Sequence, residues 1–112
     1  MVLFEVTSTK LGEIKSFDQE LICEQIEQQV RLHKLIVTQK TTLVTKKGSF
    51  HWHFKRESEK GVLEITYWPK HGSLTLEVAN NRKAEWNIRV AEQLATSFAQ
   101  QFQGTLHKNK KP

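Results

Sequence analysis

Ser49-Phe50-His51-Trp52-His53-Phe54-Lys55-Arg56, Val62-Leu63-Glu64-Ile65-Thr66-Tyr67-Trp68 and Ser73-Leu74-Thr75-Leu76-Glu77-Val78-Ala79 decide the fold. In each segment apolar and polar side chains alternate with a period of two. Phe50, Trp52 and Phe54 face one way, as do Leu63, Ile65 and Tyr67, and Leu74, Leu76 and Val78. Successive side chains of a strand point to opposite faces, so this pattern predicts an antiparallel sheet with one face on a core and the other open. Pro69-Lys70-His71-Gly72 stands between the second and third segments and reads as a hairpin turn.

Working outward, Lys46-Lys47-Gly48 is a turn before the first of these strands. Leu35–Thr38 and Thr41–Thr45 are β-branched runs that read as one or two further short strands, and Val2–Thr7 reads as a first strand. A helix is expected from Ser16, with Gln19 at the capping-box spacing. Its Ile22, Cys23, Ile26, Val30 and His33 fall on one stripe, while Phe17, Leu21 and Leu32 lie nearly opposite. Asn80-Asn81 are expected to cap a last helix carrying Ala84, Ile88, Ala91, Ala95, Phe98 and Phe102 on its apolar side, with Gly104 as its stop. Two amphipathic helices and a sheet with one apolar face pack most economically as two layers. The expected fold is α+β: a two-layer sandwich of an antiparallel meander sheet of about 4–6 strands, with an N-terminal and a C-terminal helix on one face.

At 112 residues the chain suits a single domain, expected over 1–104, with 105–112 as a basic, disordered tail. The net charge is +5, but the first thirty residues carry −4 and the next thirty +6. The single cysteine, Cys23, excludes an internal disulfide and a Cys-rich zinc site. No apolar run approaches the ~18 residues of a membrane span. The opening Met1-Val2-Leu3-Phe4-Glu5 lacks the basic start of a signal peptide, so a cytoplasmic location and no membrane partner are expected.

The open face allows a register to be worked out. A four-residue loop at 69–72 sets Trp68 opposite Ser73, Thr66 opposite Thr75 and Glu64 opposite Glu77. One register that matches faces across the preceding hairpin puts Lys55 opposite Val62, His53 opposite Glu64 and His51 opposite Thr66. Two facing glutamates call for a positive partner. His51, His53, Glu64 and Glu77 are therefore the candidate metal set, against the plainer reading of a solvated ionic row.

Lys46, Lys47, Lys55, Arg56 and Lys60 are expected to gather near one end of the sheet, with Trp68 on its open face. Basic groups hold phosphates and exposed rings stack on bases, so nucleic acid is an alternative partner, though not the favoured one. With Arg82-Lys83-Ala84 at the start of the last helix, the order of helix, three strands and helix over 16–104 resembles the double-stranded-RNA-binding domain. Glu57-Ser58-Glu59-Lys60-Gly61 stands where that family carries a Gly-Pro-x-His loop. No glycine-rich phosphate loop, nucleophile elbow or His-Glu-x-x-His motif occurs, and no cofactor is expected. Cys23 and His33 lie ten residues apart on one helix and cannot meet there.

The leading expectation is a small non-enzymatic binding or interaction module that uses the open sheet face, with His51, Lys55, Trp68 and Trp86 as binding residues. The alternatives are a basic nucleic-acid-binding domain and a metal-dependent enzyme built on the His/Glu row. Phe17, Leu21 and Leu32 leave an apolar strip that a homodimer would cover.

Overall fold

The computed structural model describes residues 1–13 and 18–110. Its elements are β1 (Val2–Thr7), α1 (Gln19–Arg31), β2 (Leu35–Thr41), β3 (Phe50–Arg56), β4 (Leu63–Trp68), β5 (Ser73–Val78), α2 (Glu85–Gln101) and β6 (Thr105–Lys110), with short 3-10 turns at Lys10–Glu13, Pro69–His71 and Asn80–Arg82. The strands form one antiparallel sheet in the order β2-β3-β4-β5-β1-β6. The α+β two-layer arrangement expected from the alternation is the one observed. Phe4, Trp52, Phe54, Leu63, Ile65, Tyr67, Leu74 and Leu76 are buried on one face of the sheet. Ile22, Cys23, Ile26 and Val30 of α1, and Trp86, Val90, Leu94 and Phe98 of α2, complete that core.

The connections explain why both helices share a face. β1 sits between β5 and β6, so α2 must cross over it to join those strands. β1 and β2 are separated by β3, β4 and β5, so α1 carries the chain from the inner part of the sheet to its far edge. Four strands, β2 to β5, stand between the helices rather than three, and β1 and β6 extend the sheet beyond β5. The likeness to the double-stranded-RNA-binding domain therefore does not extend to the sheet.

Several local expectations change. Leu35–Thr41 is a single strand, and Thr42–Thr45 forms no second one. The chain has to reverse before β3, and turn bonds from Lys46 N–H to the Leu43 carbonyl and from Ser49 N–H to the Lys46 carbonyl override the β-branched composition. Val44 consequently stands 94% exposed. Residues 105–110, expected as a disordered tail, form β6 in register with β1 from Thr7↔Thr105 to Val2↔Lys110. Without β6 the outer edge of β1 would present a row of unpaired backbone groups, and a polar, lysine-bearing strand suits a sheet edge. Ser16 and Phe17 lie outside the described residues, as do the capping box and the part of the apolar strip that rest on them. Leu21 and Leu32, the rest of that strip, are 55% and 76% exposed.

Asn80-Asn81 do not cap α2. They enter a 3-10 turn, and the helix begins at Glu85 after Ala84. Asn87, buried in the first turn, takes over: its Oδ1 accepts the Ala84 N–H at 3.0 Å, and its Nδ2 donates to the carbonyls of Val62 at 3.1 Å and Arg82 at 2.8 Å. One side chain thus ties the start of α2 to the approach into β4. Gly61 makes room for it, since a Cβ there would come within 2.9 Å of that Nδ2 and its φ of +105° disfavours any other residue. The 69–72 hairpin forms as expected, with Gly72 left-handed at φ +56° and its backbone so close to Gly12 that a Cβ would meet the Gly12 nitrogen at 2.6 Å.

Candidate functional site

The open-face register agrees with the one set by the 69–72 loop and by matching faces across the preceding hairpin. His51 faces Thr66, His53 faces Glu64, Glu64 faces Glu77, Thr66 faces Thr75 and Trp68 faces Ser73. Two rows cross all six strands: Thr41, His51, Thr66, Thr75, Glu5 and His107; and Gln39, His53, Glu64, Glu77, Leu3 and Asn109.

At the centre of these rows both imidazoles converge on one carboxylate. His51 Nε2 is 3.2 Å and His53 Nε2 3.4 Å from the same oxygen, Glu64 Oε1. The reason is local: i and i+2 on a strand share a face, and Glu64 on the adjacent strand lies beside His53 and one step diagonally from His51. The other nitrogen of His51, Nδ1, is 2.7 Å from Thr66 Oγ1, so that ring is held on both sides. His51 is only 5% exposed although, among the described residues, no helix covers this face, and the side chains of His53 and Glu64 are 20% and 21% exposed. The His51 hydrogen bond holds the Glu64 carboxyl below the usual carboxylate range against its partial burial, helped by the charges of His53, His51 and Arg82. The ligand atoms of His51, His53 and Glu64 all lie within 4.8 Å of one another. Glu77 is not part of that group. It belongs to β5, one strand beyond Glu64, while both histidines come from β3 on the opposite side.

The other candidate residues scatter. Trp86 is buried at 4% exposure, its indole N–H donates to the Lys60 carbonyl at 2.6 Å, and Arg56 lies over its ring at 5.1 Å. It anchors the start of α2 in the core and does not rim a groove. Trp68 is half-buried on the open face, where its indole N–H donates to the Lys47 carbonyl at 3.1 Å and its ring meets His71 edge-on. Lys55 is exposed near the opposite end of β3. The basic residues do not gather at one end. Lys46 and Lys47 precede β3, and Lys55, Arg56 and Lys60 lie at or past its end, about 20 Å away by strand rise. Arg56 is also engaged, donating to the His33 carbonyl at 2.9 Å and pairing with Glu59 at 3.6 Å. Sequence proximity suggested one patch, but a strand separates what it joins.

Cys23 is a core residue, as its stripe implied, and burial pushes its thiol up to about 12. Sequence reasoning missed Thr66 as a partner of His51, although the register already placed the two opposite each other. Among the described residues no helix is long and apolar enough to cross a membrane. Compared with family models, curated proteins and solved structures, the chain matches none of them.

Proposed function

We propose that this chain is a small non-enzymatic binding module whose working surface is the open face of its sheet, centred on His51, His53 and Glu64. The observation that carries this reading is the convergence of two imidazoles on one carboxylate oxygen, on rigid strands and on the face the helices leave free. Buried polar groups hold each other at a cost in desolvation, so a preformed, partly buried cluster on an otherwise open surface is where recognition is expected. Lys55 and Trp68 flank this centre at its two ends and would extend the contact surface.

Amide chemical-shift mapping tests the reading. Labelled protein is titrated with single-stranded RNA and DNA, duplexes and divalent metal salts. Shifts concentrated on β3, β4 and β5 around His53 support it. Shifts confined to the outer surface of α2, or none with any probe, would count against it. Shifts around Lys46, Lys47 and Trp68 that fade as salt is raised would instead mark a polyanion partner.

A further inference from the structure

We propose that His51, His53 and Glu64 form a mononuclear site for a divalent transition cation of the zinc class. The metal would be held through the Nε2 atoms of both histidines and the Glu64 carboxylate, with coordination completed by water or an incoming ligand. The inference rests on the open face being the working surface and names one class of ligand for it.

The distances carry the argument. A tetrahedral zinc ion binds imidazole nitrogen and carboxylate oxygen at about 2.0–2.2 Å, which sets neighbouring donors about 3.3–3.5 Å apart. Glu64 Oε1 already stands 3.2 Å from His51 Nε2 and 3.4 Å from His53 Nε2. All three donor atoms lie within 4.8 Å of one another, so drawing the two imidazoles into range takes a shift of the order of 1 Å. His53 is the more exposed of the two rings, at 20% against 7%, so the larger part of that shift is assigned to it.

The surroundings of His51 fit the same chemistry. Ligating histidines characteristically donate their second N–H to an oxygen, which fixes the tautomer and the aim of the ring. His51 Nδ1 lies 2.7 Å from Thr66 Oγ1. A threonine hydroxyl both donates and accepts, so it serves either tautomer. Without a metal, His51 Nε2–H donates to Glu64 and Nδ1 accepts from Thr66. With a metal, the proton resides on Nδ1 and is donated to Thr66, leaving the Nε2 lone pair for the cation. Two nitrogens and one oxygen form a donor set suited to zinc, copper or nickel and poorly suited to magnesium or calcium. Thr66 is thus a positioning residue, and Glu77 lies outside the site.

The experiment uses the full chain, stripped with chelator and titrated with zinc chloride by calorimetry, with magnesium chloride as control. Cobalt(II) absorption reports the geometry. The expected result is one equivalent of zinc bound, intense visible bands for tetrahedral cobalt, and no magnesium binding. His53→Ala and Glu64→Gln should each weaken zinc binding at least ~10-fold, and Thr66→Val should weaken it about 10–100-fold. Glu77→Gln, His71→Ala and His107→Ala should leave it unchanged. Nitrogen NMR of the His51 ring should show the proton moving from Nε2 to Nδ1 as zinc is added, a signature that lost packing would not produce. His51→Ala risks misfolding because the residue is buried, so the decisive variant is His53→Ala, with melting curves confirming its fold. No zinc binding by the wild type, or undiminished binding by folded His53→Ala, overturns the site. If zinc fails while oligonucleotides still perturb the amides around His53, only the metal is lost. If every probe leaves that face silent, the binding role falls with it.

Discussion

Asn87→Ala should be among the most damaging polar substitutions in this protein. The amide makes three hydrogen bonds at 2.8–3.1 Å from a fully buried position, to the Ala84 N–H and to the Val62 and Arg82 carbonyls. Each such bond contributes about 1 kcal/mol net, and a buried group left unpaired costs about 1–3 kcal/mol. The Arg82 carbonyl retains the Val62 N–H at 3.4 Å, which softens one of the three losses. The expected destabilisation is therefore about 2–4 kcal/mol, a large share of the roughly 5–15 kcal/mol of a typical domain. Urea unfolding followed by circular dichroism measures it. With a slope of about 2 kcal/mol per molar, the midpoint should fall by ~1–2 M without a change in slope. Asn87→Asp sharpens the test. It keeps the acceptor for Ala84 but loses both donors and sets a carboxylate against two carbonyls, so at neutral pH it should do at least as much harm as alanine. A loss under ~1 kcal/mol for alanine, or an aspartate variant as stable as the wild type, would refute the view that this side chain ties the start of α2 to the entry of β4.

Three further outcomes are expected. Tyr67 is fully buried and its hydroxyl has no hydrogen-bond partner among the described residues, so Tyr67→Phe should leave stability unchanged or raise it by up to about 1 kcal/mol, and a clear loss in urea unfolding would point to a partner outside them. With its thiol pushed up to about 12 by burial, Cys23 should resist a disulfide thiol reagent at pH 8 until the protein unfolds; rapid modification of the native protein would contradict its place in the core. The depressed folded-state pKa of Glu64 means that its contribution to stability is complete above the ordinary carboxylate value and is lost as pH falls through the lower folded value. In chelator, Glu64→Gln should accordingly flatten the acid limb of the stability profile below about pH 5, and an unaltered limb would show that the His51 bond does not act on it.

Much of the candidate site is legible in the sequence. The hairpin at 69–72 placed Glu64 beside Glu77, and the requirement that apolar faces coincide, because a slip of one residue inverts every side chain, allowed the register that sets His53 beside Glu64 and His51 beside Thr66, which is the one observed. Which side chains then reach each other is a matter of distances between atoms. Alternation alone could not say that both histidines reach the same Glu64 oxygen, or that Glu77 stays apart.

The basic residues illustrate the opposite case. Lys46 and Lys55 are near neighbours in the chain, yet β3 carries them to opposite ends of the sheet, so the apparent patch never existed in space. Trp86 falls outside the spacing of Ala84, Ile88, Ala91 and Ala95 and was expected to bind a partner, but its indole is buried over the β3–β4 connection, where Lys60 supplies the partner that its N–H needs. No pattern within α2 encodes that contact.

By itself the sequence determined the layers, the inward faces of β3, β4 and β5, the buried stripe of α1 and, through the short 69–72 turn, the register of β4 on β5. Each of these follows from a short-range period set by backbone geometry. Only the tertiary structure decided that β1 lies between β5 and β6, that residues 105–110 become a strand, and that Asn87 rather than Asn80 secures α2. Those outcomes depend on pairing backbone groups and buried amides with partners far along the chain, and partners chosen by three-dimensional closure leave no periodic trace in the sequence.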